Sequence, residues 1–159
     1  MDTITLKPQI RYWLQNYFLV LPVAAGIVYL SRKYIVHEYV ETAILVLLAV
    51  IFIVLLYTYV DMLLCTIWQI TEYNIQIIRG VFNRKTDYIE LYRVVDYKET
   101  QTLVQRIFKN KTVWILSGDR TTPVLLIFGI DYDLEIVEEI RKRVEIQKKA
   151  HGIYEITNR

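Results

Sequence analysis

The sequence predicts an α+β protein in two parts. A pair of apolar helices forms an N-terminal transmembrane hairpin, and an antiparallel β-rich domain closed by a C-terminal α-helix follows. Three observations carry this reading: two long runs without a formal charge, a period-two alternation of apolar and polar residues after Cys65, and a helical period near the C-terminus. Residues 1–65 then hold an N-terminal segment and two spans at about 12–31 and 42–62, residues 66–150 the β-rich domain, and residues 151–159 a tail.

The charge-free runs come first. Tyr12 to Ser31 is 20 residues long and Thr42 to Val60 is 19. As helices they extend roughly 28–30 Å, about the hydrocarbon thickness of a bilayer. The second run holds 13 Leu, Ile, Val or Phe residues, which favour insertion by roughly 4–8 kcal/mol. The first holds nine, and Gln15, Asn16 and Pro22 count against it, so it inserts best when paired with the second. A soluble helix of such length shows a polar face, and Ile44 to Leu56 shows none. Lys7 and Arg11 before an apolar stretch have the layout of a signal peptide, but the run is long for one and a second follows closely. Tyr12, Trp13 and Tyr17 mark one end of the first span, and Tyr57, Tyr59 and Trp68 the far end of the second. Tyr12, Trp13, Tyr57, Tyr59 and Trp68 are therefore expected as membrane-interface anchors. Ala24-Ala25-Gly26 offers a small patch for close helix approach. Lys7, Arg11 and Arg79 on one side against Arg32 and Lys33 in the loop lean towards cytosolic termini.

Composition narrows the function. The chain is 54% hydrophobic and 23% charged, with a mean hydropathy of +0.27, which excludes a disordered or collagen-like chain. A formal charge of +2 is far from a nucleic-acid-binding balance, and no nucleic-acid partner is expected. Cys65 is the single cysteine, so no intramolecular disulfide forms, and no Cys/His cluster has zinc spacing. Neither metal nor cofactor is expected.

After Cys65 the pattern alternates. TIWQIT and NIQIIRG are strands around a Glu72-Tyr73-Asn74 turn, with Ile75 and Ile77 on one face and Asn74 and Gln76 on the other. Gly80 ends the second strand and Asn83-Arg84-Lys85 form the next turn. TDYIELYRVVDYKET makes one or two strands, Leu103 to Phe108 a short helical turn, and KTVWILS and PVLLIFGI two more strands. Leu134, Val137, Ile140 and Val144 recur at helical spacing, Asp131 and Asp133 stand at the start of that helix, and Arg141, Lys142 and Arg143 suit its dipole.

That order resembles the bacterial pleckstrin-homology (PH) domains of the YdbS-like membrane-protein family. WQITEYNIQIIRGVFNRKTDYIEL is similar to its opening hairpin, RVVDYKETQTLVQRIFKNKTVWI to its strand, short helix and strand, and PVLLIFGIDYDLEIVEEIRKRV to its last strand and closing helix. A Gly is usual before TVWI; Asn110-Lys111 stand there instead. The resemblance implies a PH-like barrel or sandwich capped by the helix, no catalytic residues, a bacterial inner-membrane location with the domain cytosolic, and a binding or scaffold role in which envelope stress is the family context. Its expected partners are membrane lipid, a second PH-like membrane protein and further copies of itself.

Candidate chemistry is sparse. No Ser/His/Asp set, Gly-rich phosphate loop or paired-carboxylate pattern occurs, and no enzyme is expected. His37, Glu38 and Glu41 could share one helical face as metal ligands, although a solvated turn is the plainer reading. Asp61, just past the second span, is the residue a proton or ion relay would use. The Glu72-Tyr73-Asn74 turn lacks the cations with which phosphoinositide-binding PH domains grip their ligand. The remaining candidate is the basic turn of Arg79, Arg84 and Lys85 beside Val81 and Phe82, which can meet anionic lipid or a partner.

Overall fold

The computed structural model describes residues 2–34 and 38–153. A strand, β1 (Ile4–Leu6), opens the chain. Three helices follow: α1 (Ile10–Tyr17), α2 (Val20–Tyr34) and α3 (Glu38–Tyr59), the last running into a π-helical turn, Val60–Cys65. Then come β2 (Ile67–Ile70), β3 (Asn74–Arg79), β4 (Lys85–Glu90), β5 (Val94–Thr100), the short α4 (Leu103–Ile107), β6 (Asn110–Ser117), β7 (Val124–Asp131) and α5 (Ile136–Ala150). The strands form two antiparallel sheets in the orders β1-β2-β3-β4 and β5-β6-β7. The expected α+β, PH-like architecture is the one the chain adopts.

Alternation builds the sheets. Trp68 and Ile70 on β2 face inward with Ile75 and Ile77 on β3, and the register pairs Trp68 with Ile77 and Ile70 with Ile75. Val113, Ile115, Leu125 and Ile127 supply the second sheet's inner face. Each such side chain contributes about 1.5–3 kcal/mol by leaving water. The stretch between Thr86 and Thr100 forms two strands, parted by a 3₁₀ turn at Leu91–Arg93. A reciprocal cap opens α4: Thr102 Oγ1 accepts from the Gln105 N–H, and Gln105 Oε1 from the Thr102 N–H. The Gly expected before TVWI has its counterpart one residue earlier than Asn110, because Lys109 adopts the left-handed φ of 50° and Asn110 and Lys111 enter β6.

Helix α5 begins later than the charge pattern suggests. Leu134 precedes it and is 40% exposed, and the buried face is Ile136, Ile140, Arg143, Val144 and Gln147. Asp131 and Asp133 do not cap it. Asp131 instead accepts a hydrogen bond from Gln9 Nε2 at 2.9 Å, and that bond holds its carboxyl below the usual range. Arg143 is not a surface cation compensating the dipole. It is 3% exposed, and its guanidinium donates to the carbonyls of Ile70, Thr71 and Asp2 and to Glu139.

Strand β1 reaches across the expected boundary at residue 66. Ile4, Thr5 and Leu6 pair with Ile70, Gln69 and Trp68, so a strand from before the helices completes the first sheet. The two helical runs thus leave and re-enter the domain on the same side.

The first expected span, 12–31, is not one helix. It breaks at Phe18–Leu19, as Pro22 lacks the N–H that would bond the Phe18 carbonyl. Helix α1 lies against β7. The Gln9 N–H donates to the Gly129 carbonyl at 2.8 Å, Tyr12 stacks on Phe128, and Asn110 Nδ2 donates to the buried Gln15 at 3.0 Å. Gly129 has φ +65°, and a Cβ there would come within 2.6 Å of Tyr12 Cβ. Helices α2 and α3 expose their apolar side chains, and the segments Ile10–Ser31 and Tyr39–Cys65 are long and apolar enough to cross a membrane. In the Ala24–Gly26 patch, Gly26 makes no close helix contact, since a Cβ there would meet nothing within 4 Å.

Arg143→Ala leaves the buried Ile70 carbonyl and the part-buried Thr71 and Asp2 carbonyls without their donor, so chemical denaturation of the full chain should show a loss of about 2–4 kcal/mol. Gly129→Ala should speed amide hydrogen exchange along residues 10–17 while β2 and β3 keep their protection. A carboxyl whose folded pKa is depressed stabilises above its ordinary value of 3.8 and loses that contribution as pH falls through the lower folded value. The wild type should therefore melt higher than Asp131→Asn at neutral pH, with the gap closing well below pH 3.8.

Candidate functional site

The basic turn joins β3 to β4 and is shaped by its glycine. Gly80 takes φ +106°, and a Cβ there would run into the Asn83 carbonyl, so the chain reverses tightly and Val81 and Phe82 stand at the tip. Phe82 is 91% exposed. Its ring lies nearly parallel to that of Tyr57, with centroids 6.3 Å apart and planes 10° apart. Tyr57 belongs to the last turns of α3, so the tip rests beside the end of the apolar helix.

Charge at this turn is unbalanced. Arg79 and Lys85 are direct cross-strand partners, a like-charge placement that disfavours the pairing. Arg79 is relieved by Asp87 at 3.3 Å. Arg84 and Lys85 are exposed, and neither has an ion-pair partner among the described residues. The fold needs none of these cations in its core. Two apolar side chains at the tip and three cations behind them match the profile of a membrane surface, acyl chains beneath and phosphates above.

The other candidates separate. Trp13 donates its indole N–H to Thr58 at 3.3 Å and meets Tyr59 edge-on, joining α1 to the end of α3. Tyr12 faces the sheet. Trp68 is fully buried against Phe128, which corrects its expected place in an interfacial belt: it is the second residue of the β2 alternation and belongs to the core. Asp61 lies half-buried in the π-helical turn, and its main-chain carbonyl accepts from Thr66 Oγ1. His37 lies outside the described residues, as does the side chain of Glu38, while Glu41 is exposed on α3. Among the described residues no three His, Cys, Asp or Glu side chains gather as a metal site. The β2–β3 turn is held by Thr71 Oγ1, which donates to the Asn74 carbonyl, and carries no cation.

Sequence reasoning missed the contact between Phe82 and Tyr57, which no local pattern encodes. Only the two aromatic residues beside apolar or basic neighbours hinted at it.

No curated protein and no solved structure matches the chain. The model of the bacterial PH domain matches residues 12–147, from α1 through most of α5. With that match over most of its length, and two antiparallel sheets closed by a C-terminal helix, the chain belongs to the bacterial PH domain family.

Proposed function

We propose that this chain is a two-pass membrane protein of the bacterial inner membrane, that its PH domain is a non-enzymatic binding module on the cytosolic face, and that the β3–β4 turn engages anionic lipid headgroups. The observation that carries this reading is the stack of Phe82 on Tyr57, because it sets three cations beside the end of an apolar helix. The pairing of β1 with β2 supports an even number of crossings. Exposed Leu, Val, Ile and Phe side chains along α2 and α3 support burial in lipid, since a soluble surface rarely carries so continuous an apolar patch.

Helix α1, tied to β7 on one face and to Thr58 and Tyr59 on another, supports a domain held in a set orientation to the membrane. In such a pose the turn meets headgroups without any search. Arg84 and Lys85 would each add about 1 kcal/mol of attraction near an anionic surface.

The test uses the whole chain, because a fragment starting at residue 66 lacks β1. An environment-sensitive dye on Asn83→Cys, in a Cys65→Ser background, is followed in nanodiscs of neutral or anionic lipid. Blue-shifted emission is expected only in the anionic discs, weakening with salt, and Arg84→Ala/Lys85→Ala should weaken the interaction by about 2 kcal/mol. Equal emission in both lipids would overturn the lipid-reading part of the proposal. Labelling of Asn83→Cys from the periplasmic side of intact cells would overturn its orientation.

A further inference from the structure

Strand β5 is the free edge of the second sheet. Its neighbour is β6 on one side only, whereas the far edge of β7 is met by α1 through the Gln9–Gly129 hydrogen bond. Among the described residues the far side of this seven-residue strand pairs with no other strand, and such an edge invites one. Alongside it, between β5 and α5, runs a groove of about 480 Å³ lined by Val95, Tyr97, Arg141 and Val144 among others, which leaves room for one.

The charges on this edge select what can enter. Asp96 and Lys98 are both exposed on the outer face of β5, opposite Leu116 and Trp114 of β6. Neither has an ion-pair partner among the described residues. Asp96 Oδ1 accepts from the Tyr97 N–H at 2.7 Å, and the second carboxylate oxygen still has capacity for a cation.

From these features we propose that β5 pairs antiparallel with β5 of a second copy, about a two-fold axis at Tyr97. A two-fold normal to the sheet keeps outer faces together, so residues opposite each other have the same parity. With Tyr97 opposite Tyr97, Asp96 of each copy faces Lys98 of the other, giving two cross-strand ion pairs. A shift by two residues in one direction sets Asp96 against Asp96, and in the other Lys98 against Lys98, both unfavourable. The charges that discourage an arbitrary strand therefore fit this one partner in this one register. The paired sheets form one six-stranded sheet, with the Asp96 and Lys98 rows at its centre and the Leu116, Trp114, Val124 and Leu126 rows of each copy on either side. The contact does not depend on lipid.

The experiment uses the full chain in detergent, Cys65→Ser throughout. Differently tagged Asp96→Cys and Lys98→Cys copies are co-expressed and oxidised. Facing residues in an antiparallel pair lie ~4.5–5.5 Å apart, within disulfide reach. The mixed disulfide between the two tags should exceed either same-tag product. By light scattering, Asp96→Lys should lower the dimer association constant about tenfold, by replacing two attractions with two repulsions. Asp96→Lys/Lys98→Asp should restore it to within about twofold. A monomeric wild type, a dimer indifferent to Asp96→Lys, or a double reversal no better than the single one would each overturn the proposal. None of these outcomes bears on whether the β3–β4 turn reads lipid.

Discussion

A single buried guanidinium holds the domain closed. Arg143 is sealed from water, and a charge in such a place is tolerable only if its donors are used. It spends them on two segments far apart in sequence, the approach to β1 and the end of β2 with the turn after it, and on Glu139 one helical turn earlier. The position of β1 therefore depends on α5, and β1 in turn fixes where the chain must depart for its two apolar helices and where it must return. Carbonyl oxygens at strand ends, which would otherwise need water, are satisfied inside the protein.

A second polar seam carries the coupling outward. Helix α1 presents Tyr12 and Gln15 to the domain and Trp13 to the end of α3. Aromatic rings, an indole–hydroxyl bond and one pair of uncharged amides make these contacts, so salt screens none of them. Helix α1 thus joins the helical hairpin to the sheets, and the exposed turn lies beside Tyr57 at the end of that hairpin.

Much of this was legible in the residues. Alternation at Ile75 and Ile77 and at Val113 and Ile115 revealed strands, because a half-buried sheet enforces period two. The charge-free run after Glu41 revealed α3, since nothing else tolerates so many exposed aliphatic side chains. What failed did so for local reasons. Strand β1 has three residues, too few to show a period. Trp68 stands close enough to an apolar run to pass for an interfacial ring, although its spacing to Ile70 already put it on the inner face. Arg143 read as a surface cation by type, yet it follows Ile136 and Ile140 at i+7 and i+3, on the buried stripe. Gln15 counted against a lipid-facing helix for a sound reason: its partner is Asn110, 95 residues away. Of the candidate site, the basic and apolar residues were visible as a cluster, but their neighbour Tyr57 was not, because nothing short-range joins a hairpin tip to a helix.

Strand β1 also sets an order in time. It is synthesised first, but the strand it pairs with follows both apolar helices, and the arginine that clasps its approach lies 141 residues later. At ~5–20 residues per second, roughly 7–28 s separate the two ends of that clasp during synthesis. Until β2 emerges β1 has no strand to pair with, and until α5 emerges the Asp2 carbonyl lacks its guanidinium donor. Pairing of the two apolar helices shortens the loop whose closure costs entropy when β1 meets β2. The last helix to be made is thus the one that completes the fold begun by the first strand.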